Sequence, residues 1–210
     1  ELNFAFHVGD HIDDVITNRK RLMNAVNVEI ESIVTCRQSH GSNVTIVNSS
    51  MKGNGALSDN SAIPNTDALI TSEPGICLVV MVADCVPILL FDREIKVVAV
   101  AHSGWKGTVL KLTTKTIKTM INVFGSKPKD IIACIGPSIG PNNYEVGIEV
   151  IQQAKRIFPK ENVVTVTSKG KGFFDLWTAN LCQLLDTGIS PNNIEIAKIL
   201  NLTPETLSRI

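Results

Sequence analysis

The chain has 210 residues, with 20 basic and 20 acidic side chains, and 44% of its residues are hydrophobic. That length suffices for one well-buried domain, and the composition excludes disorder as a description of the whole chain. The zero net charge and the low aromatic content of 5% argue against nucleic-acid binding and against attachment to an anionic membrane. The longest apolar runs, residues 76–83 and 97–101, are shorter than the about 18 residues that cross a membrane.

Five cysteines stand far apart in the chain, and no two of them form a CxxC pair. The odd number and the wide spacing do not indicate a disulfide framework. Four of them have apolar neighbours that predict buried thiols, whereas Cys85 follows Asp84 and stands apart. We expect a cytoplasmic protein, although the start at Glu1 rather than Met leaves a removed leader open.

The first half of the chain changes from a helical pattern to strand patterns. Apolar residues at helical spacing predict a helix over residues 13–28, which Asp13 or Asp14 can cap. Short strands are predicted at 32–36 and 44–48, and the polar stretch 49–64 is predicted to be a surface loop. A dense apolar block then predicts strands buried on both faces, at residues 68–71, 77–83, 88–91 and 97–101.

The second half alternates helices and strands. The predicted elements are a helix at 107–124, a strand at 131–135, helices at 147–158 and 175–185, and strands near 163–166 and 194–197. Strands as close in the chain as 77–83 and 88–91 imply antiparallel pairs. We therefore predict an α+β fold, a layered arrangement with a mixed, partly antiparallel sheet in a single domain over residues 1–210.

Three side chains that bind soft metal ions follow strands or lie between them. His40 stands between two predicted strands, and Cys85 and His102 follow two others. Strand ends can converge, and a His/Cys/His set with an open fourth position matches catalytic zinc, while copper could substitute. The same residues could form a cysteine nucleophile, Cys85, with His102 as its base, or a core thiol with two hydrogen-bonded histidines. Spacing alone does not separate these readings.

The segment 103–107 is a strand-to-helix turn that could bind an anion, because backbone N–H groups at a helix start favour negative charge. We assign substrate and phosphate binding to Lys106 and Gly104 of this turn and to Asn43. The alternative is a tight turn whose glycines only allow packing. The loop 135–147 holds the single tyrosine, Tyr144, and is either a wall of the ligand site or a structural crossover.

Several motifs in fixed order resemble those of the laccase-domain family over about residues 2 to 190. They are Gln38-Ser39-His40-Gly41 with Val44, Asp67-Ala68-Leu69-Ile70-Thr71, Ala83-Asp84-Cys85-Val86-Pro87-Ile88, Ala101-His102-Ser103-Gly104-Trp105-Lys106-Gly107 and Ile135-Gly136-Pro137-Ser138-Ile139. Several ordered motifs are far more specific than any single one.

The resemblance implies a zinc centre held by His40, Cys85 and His102. It implies phosphorolysis of adenosine, inosine and methylthioadenosine, and deamination of adenosine, so that purine nucleosides and phosphate are the expected partners. Asp84, beside Cys85, could move protons in deamination, as a separate carboxylate does in the zinc deaminases. Adjacent residues on a strand point to opposite faces, so the alternative is that Asp84 orients the loop. An older association of the family is copper-dependent polyphenol oxidation. The resemblance also implies that the family's fold is similar to that of a bacterial deamidating toxin. A metal-free cysteine hydrolase therefore remains an alternative function.

Both ends of the chain depart from the family pattern. An Arg- and Gly-containing segment is missing before Leu2, and residues 197–210 lack the usual Cys-Thr pair and Phe/Arg-rich motif. The altered ends motivate a further alternative, a catalytically inactive interaction domain. The tail resembles part of a helix-turn-helix, but a DNA reader needs the complete motif and a basic face, so we expect no DNA binding.

Overall fold

The structure is a computed structural model and describes residues 2–167 and 170–197. Within these ranges the α-helices are α1 (Ile12–Ala25), α2 (Trp105–Val109), α3 (Leu112–Thr119), α4 (Ile148–Ile157) and α5 (Leu176–Asp186). The strands are β1 (Ile33–Thr35), β2 (Val44–Ile46), β3 (Ala68–Thr71), β4 (Cys77–Val79), β5 (Val86–Asp92), β6 (Val98–Ser103), β7 (Ile131–Ile135), β8 (Glu145–Gly147), β9 (Val164–Val166), β10 (Lys171–Phe174) and β11 (Ile194–Ile196).

A six-stranded mixed sheet forms the centre of the fold, with the strand order β11-β7-β5-β6-β3-β2. Its inner strands pair antiparallel, β5 with β6 and β7, and β6 with β3. The outer strands β2 and β11 pair parallel with β3 and β7. The predicted α+β class with a mixed sheet is therefore confirmed. The likeness to the toxin-like cysteine hydrolase fold stays a prediction.

The main hydrophobic core lies between this sheet and helices α2 to α5. Leu112 and Ile117 of α3 and Leu184 of α5 are fully buried against sheet residues such as Ile88 and Ile135. At about 25 cal/mol per Å² of apolar surface removed from water, each such side chain contributes roughly 1.5–3 kcal/mol to folding. This packing holds the sheet edge that carries the chemically interesting residues.

Two smaller sheets complete the fold. The parallel pair β1-β4 covers part of the opposite face of the main sheet, where Val34 and Leu69 are buried together. Helix α1 packs against β1 through Met23 and Ile33. The antiparallel sheet β8-β10-β9 packs against α4.

The predicted long strand over 77–83 is wrong in both length and pairing. Strand β4 ends at Val79 and pairs parallel with β1, not antiparallel with the strand that follows. The Gln38 side chain explains the early end, because its amide donates to the Met81 carbonyl oxygen and its carbonyl accepts the Met81 N–H, both at 2.7 Å. Strand β5 is also not buried on both faces, since Leu89 and Phe91 point to solvent.

The predicted helix over 107–124 is two helices with a break between them. It begins earlier than predicted, at Trp105, and Lys111 adopts a left-handed conformation with φ of 58°. Helix α3 then ends in a π-type turn over Met120–Phe124, followed by Gly125 at φ of 79°. Helix α1 ends at Ala25, and its N-cap residue is His11, so neither Asp13 nor Asp14 caps it. These two carboxylates lie in the first turn instead, where their negative charge interacts favourably with the helix dipole.

No helix in residues 2–167 and 170–197 has both the length and the apolar character required to cross a membrane. The predicted departure of residues 197–210 from the family pattern falls almost wholly outside the described residues, as does the resemblance to a helix-turn-helix. Ala197 is the last residue described, and its N–H donates to the Ile135 carbonyl oxygen at 2.9 Å.

Candidate metal centre

Cys85 and His102 lie side by side because of the register between β5 and β6. These strands pair antiparallel, with Val86 opposite Ser103 and Pro87 opposite His102. The start of β5 and the end of β6 therefore meet at one edge of the sheet, and Cys85 is the residue just before β5.

His40 reaches the same edge from the turn between β1 and β2. Its backbone is left-handed, with φ of 55°. The imidazole ring meets the His102 ring edge to face, with ring centroids 4.7 Å apart and an angle of 85° between the planes. Three residues separated by up to 62 positions in the chain thus come together.

The donor atoms of His40, Cys85 and His102 all lie within 4.8 Å of one another. A four-coordinate zinc ion, at about 2.0–2.3 Å from each ligand, holds its donors about 3.3–3.8 Å apart. Small side-chain rotations would bring these donors onto one ion, so two imidazoles and one thiol fit such an ion in number and type. His102 is buried, Cys85 is half-buried and His40 is exposed, so the cluster opens to solvent on the His40 side.

Gly104 is needed for the close approach of the turn to the thiol. A Cβ atom at this position would lie 2.7 Å from Cys85 Sγ and 3.6 Å from His40 Cδ2. The backbone of Gly104 is extended, so it is space, not conformation, that requires glycine here.

Asp67 is the residue of this site to which the sequence analysis assigned no role. It is fully buried, and its Oδ1 lies 3.0 Å from His102 Nδ1. Burial would raise the pKa of this carboxyl group, but hydrogen bonds from His102, Ser39 and Gly41 lower the pKa to about 2. One signal was available, because an acidic residue directly precedes the apolar residues 68–70 that begin β3.

The pKa values of His40 and His102 are shifted in opposite directions. Burial lowers the pKa of His102, but Asp67 and Cys85 outweigh it and raise the pKa to about 9. The pKa of His40 is lowered by burial, and the charges of His102 and Lys106 lower it further. Of the two imidazoles, His102 therefore holds a proton more firmly than His40.

A buried polar network fixes the chain directly after His102. Ser103 Oγ donates to Asn180 Oδ1 at 2.8 Å, and Thr113 Oγ1 donates to the same atom at 2.7 Å. Asn180 Nδ2 in turn donates to Thr108 Oγ1 at 3.1 Å. Helix α5 is thereby tied to α2, to α3 and to the end of β6.

Two of the residues predicted to bind phosphate or substrate are placed differently from each other. Lys106 is exposed in α2, with Nζ 5.7 Å from the Trp105 ring centroid, and its charge acts on His40. Asn43 is also exposed, but its amide already donates to the Asn65 carbonyl oxygen at 2.8 Å. Only Lys106 of the two carries a charge, and this charge contributes to the lowered pKa of His40.

Asp84 and Tyr144 lie on the Cys85 side of the cluster. Asp84 is exposed, and its carbonyl oxygen accepts the Ile139 N–H, which joins it to the loop after β7. Burial raises the pKa of Tyr144 to about 12, and the charges of Cys85 and Asp84 add to the increase. The loop 135–147 thus brings its tyrosine into the electrostatic environment of the cluster.

The sequence model of a protein family described as multi-copper polyphenol oxidoreductase laccase matches residues 1–206. The chain belongs to the multi-copper polyphenol oxidoreductase laccase family. This confirms the resemblance drawn from the ordered motifs, which include His40, Cys85 and His102.

Relatives within the laccase family are named as enzymes of purine nucleosides. A protein of Bacteroides thetaiotaomicron named purine nucleoside phosphorylase is 35% identical over 94% of this chain and 74% of its own length. Purine nucleoside phosphorylase YlmD of Geobacillus stearothermophilus is 35% identical over 98% of this chain and 76% of its own length. Adenosine deaminase RL5, from an unknown prokaryotic organism, is 33% identical over 92% of this chain and 74% of its own length.

The fold of this laccase-family chain is also that of a solved relative. The crystal structure of YlmD from Geobacillus stearothermophilus superimposes with a TM-score of 0.93 and 33% identity, covering 99% of this chain and 80% of the other. These relatives support a purine nucleoside phosphorylase-like family of enzymes for this chain.

Proposed function

We propose that the chain is a zinc-dependent purine nucleoside phosphorylase that also deaminates adenosine. Its substrates are adenosine, inosine and methylthioadenosine, together with phosphate. The observation that carries the proposal is the convergence of two imidazoles and one thiol, all within 4.8 Å, in a chain whose relatives are named for these activities.

His40, Cys85 and His102 are the residues that would hold the metal. One thiol and two imidazoles suit zinc, and copper could substitute. When bound in such a site with an open fourth position, zinc supplies Lewis acidity and lowers the pKa of water toward neutrality. A polyphenol oxidase with several copper ions is disfavoured on ligand count, because the whole chain has only four histidines.

In phosphorolysis a phosphate oxygen bonds to the anomeric carbon of the ribose while the bond from that carbon to the purine nitrogen breaks. The purine leaves with the electron pair and takes up a proton. Lys106 binds the phosphate dianion, since its ammonium group is exposed and its charge reaches His40. Gly104 and Asn43 are the other proposed substrate- and phosphate-binding residues. Gly104 lets the turn approach Cys85 closely, and the Asn43 amide is held by the Asn65 carbonyl oxygen.

In deamination water replaces the exocyclic amine of adenosine, and ammonia leaves. The proton lost by water has to reach the departing nitrogen, which requires a group that can accept it and then donate it. Asp84 is the proposed carrier, because its carboxylate is exposed and neighbours Cys85. Tyr144 borders the same side and forms a wall of the substrate site.

A metal-free cysteine hydrolase is the second candidate, and one observation favours it. Asp67 contacts His102 Nδ1 at 3.0 Å, and His102 in turn interacts with Cys85. This order of carboxylate, imidazole and thiol is that of a nucleophile activated by an oriented base. If the chain is instead an inactive interaction domain, it has neither the purine nucleoside activities nor cysteine hydrolase activity.

The test combines metal analysis with a product assay. The purified chain is analysed for bound zinc and copper, then incubated with adenosine with and without phosphate. Adenine formed only with phosphate supports phosphorolysis, and inosine supports deamination. If a folded protein forms neither product, the result favours the inactive interaction domain. Unchanged activity after complete chelation would instead favour the cysteine hydrolase.

His40→Ala separates the proposed ligands from the dyad, since the hydrolase requires only Cys85 and His102. We expect this variant to lose most of its zinc and its activity. His11→Ala is the matched control, because His11 is exposed and lies before α1. Full zinc content in His40→Ala would remove His40 from the ligand set.

A further inference from the structure

We propose that Asp67 is a positioning residue of the metal centre, which sets the two histidine ligands at the same time through one buried carboxylate. The inference rests on the proposed metal function and goes beyond it, because Asp67 is not among the proposed ligands. It acts through His40 and His102.

The first contact sets the ring of His102. Asp67 Oδ1 lies 3.0 Å from His102 Nδ1, and both side chains are almost completely buried. A carboxylate in this position accepts the proton of Nδ1, so the opposite nitrogen, Nε2, is the one left to bind a metal. Rotation of the ring would cost this hydrogen bond in a place that water does not reach.

The second contact sets the turn that carries His40. Asp67 accepts the backbone N–H groups of Ser39, His40 and Gly41 at 3.2, 3.0 and 2.8 Å, and the Ser39 hydroxyl group at 2.9 Å. The left-handed backbone of His40 is unfavourable for a residue with a Cβ atom, by about 1 kcal/mol. The three N–H donors wrapped around one carboxylate compensate for that conformation.

The main chain of Asp67 is itself held by the sheet. Its N–H donates to the Asn43 carbonyl oxygen at 3.0 Å, and its own carbonyl oxygen accepts the His102 N–H at 2.8 Å. These two backbone hydrogen bonds therefore hold the main chain from which the carboxylate extends in place next to β6. The backbone N–H of His40 and the Nδ1 of His102 both bond to Asp67 Oδ1, so a displacement of either group would break a hydrogen bond to the same oxygen atom.

In the part of the chain that the structure describes, Asp67 forms an ion pair with one side chain only. Its ion-pair partner there is His102, and neither a lysine nor an arginine pairs with it. A buried carboxylate needs a compensating positive charge. A cation bound to the other side of the His102 imidazole would supply this charge in the loaded protein.

The test compares wild type with Asp67→Asn, which keeps the size and one acceptor oxygen but removes the charge. Zinc affinity is measured by competition with a chromophoric chelator, and the cobalt-substituted proteins are compared by their ligand-field and thiolate absorption bands. We expect zinc affinity to fall 10- to 100-fold and the cobalt spectrum to change. Asp92→Asn is the matched control, because Asp92 is also buried and also accepts backbone N–H groups, from Glu94 and Ile95.

A second measurement on wild type protects the test against misfolding of the variant. Nitrogen NMR of the zinc-loaded protein should show His102 with Nδ1 protonated and Nε2 bound to metal. Coordination through Nδ1 would overturn the inference, as would a folded Asp67→Asn that has wild-type zinc affinity and an unchanged cobalt spectrum. Wild type that binds no zinc would instead overturn the proposed metal function, and the inference with it.

Discussion

Gly104 lies directly against the thiol of Cys85, so that a Cβ atom at position 104 would stand 2.7 Å from Sγ. Cys85 Sγ also lies within 4.8 Å of the donor atoms of His40 and His102, so a displacement of the sulfur changes its distance to both imidazoles. The turn after β6 and the proposed ligand set therefore constrain each other.

Replacing this glycine should disturb the metal before it disturbs the fold. We expect Gly104→Ala to lower bound zinc at least severalfold, because the new methyl group displaces Cys85 Sγ. Metal content after gel filtration, read together with circular dichroism, measures the effect. Gly140→Ala is the control, since its Cβ atom would meet atoms no closer than 3.7 Å. Equal zinc content in both variants would contradict the constraint.

Cys85 should be the thiol that reacts with iodoacetamide at pH 8 in the metal-free, folded protein. Burial raises the pKa of Cys36 to about 12, and it also raises those of Cys77, Cys134 and Cys182. A raised pKa leaves less of the reactive thiolate at a given pH, so these four should react only slowly at pH 8.

Peptide mass spectrometry identifies the labelled cysteine, and a second reaction in the presence of zinc tests the ligand role. We expect zinc to protect Cys85 from labelling. Cys85 labelled at the same rate with and without zinc would count against the thiol as a ligand, whereas labelling of Cys36 at pH 8 would show that the core opens.

Lys106→Ala should weaken phosphate use specifically. Loss of the ammonium group removes a charge-assisted contact with phosphate, and we expect the KM for phosphate to rise about tenfold with little change in the KM for nucleoside. Lys106→Arg keeps the positive charge, so its KM for phosphate should stay close to that of the wild type. Lys129→Ala is the control, because Lys129 lies beside the far end of β5, where Asp92 pairs with Ile131.

Deamination of adenosine needs no phosphate and gives an internal reference in the same assay. It should proceed in Lys106→Ala at close to the wild-type rate. A parallel loss of both reactions would assign Lys106 to nucleoside binding or to the structure of the turn.

Asn180→Ala should destabilise the protein by about 2–4 kcal/mol, because it leaves the hydroxyl groups of Ser103 and Thr113 without their buried acceptor. Urea unfolding of the metal-free protein measures the change in free energy. The exposed Asn192, replaced by alanine, serves as the reference. A change below about 0.5 kcal/mol in Asn180→Ala would show that water replaces these hydrogen bonds.

The helical segments show what periodicity can and cannot reveal. Apolar spacing located α1, α4 and α5 to within three residues at each end, because one face of each helix packs on the core. It did not reveal the break at Lys111, since a left-handed residue leaves the apolar stripe of the flanking helices in place.

The chain order of the strands was a poor guide to their pairing. Cys77–Val79 and Val86–Asp92 are close in the chain but belong to different sheets, because β4 pairs with β1 and β5 lies between β6 and β7. Pairing depends on which faces can be buried together and on competitors such as the Gln38 side chain, which takes the backbone groups of Met81.

By itself the sequence determined the mixed α+β class, the kinds of donor atoms available and, through its ordered motifs, the family. These depend on local patterns and on residue identity. Only the tertiary structure decided that His40, Cys85 and His102 share one edge of a sheet and that Asp67 contacts both histidines. The physical reason is that the register between strands and the direction of a turn are set by long-range packing, which spacing along the chain does not encode.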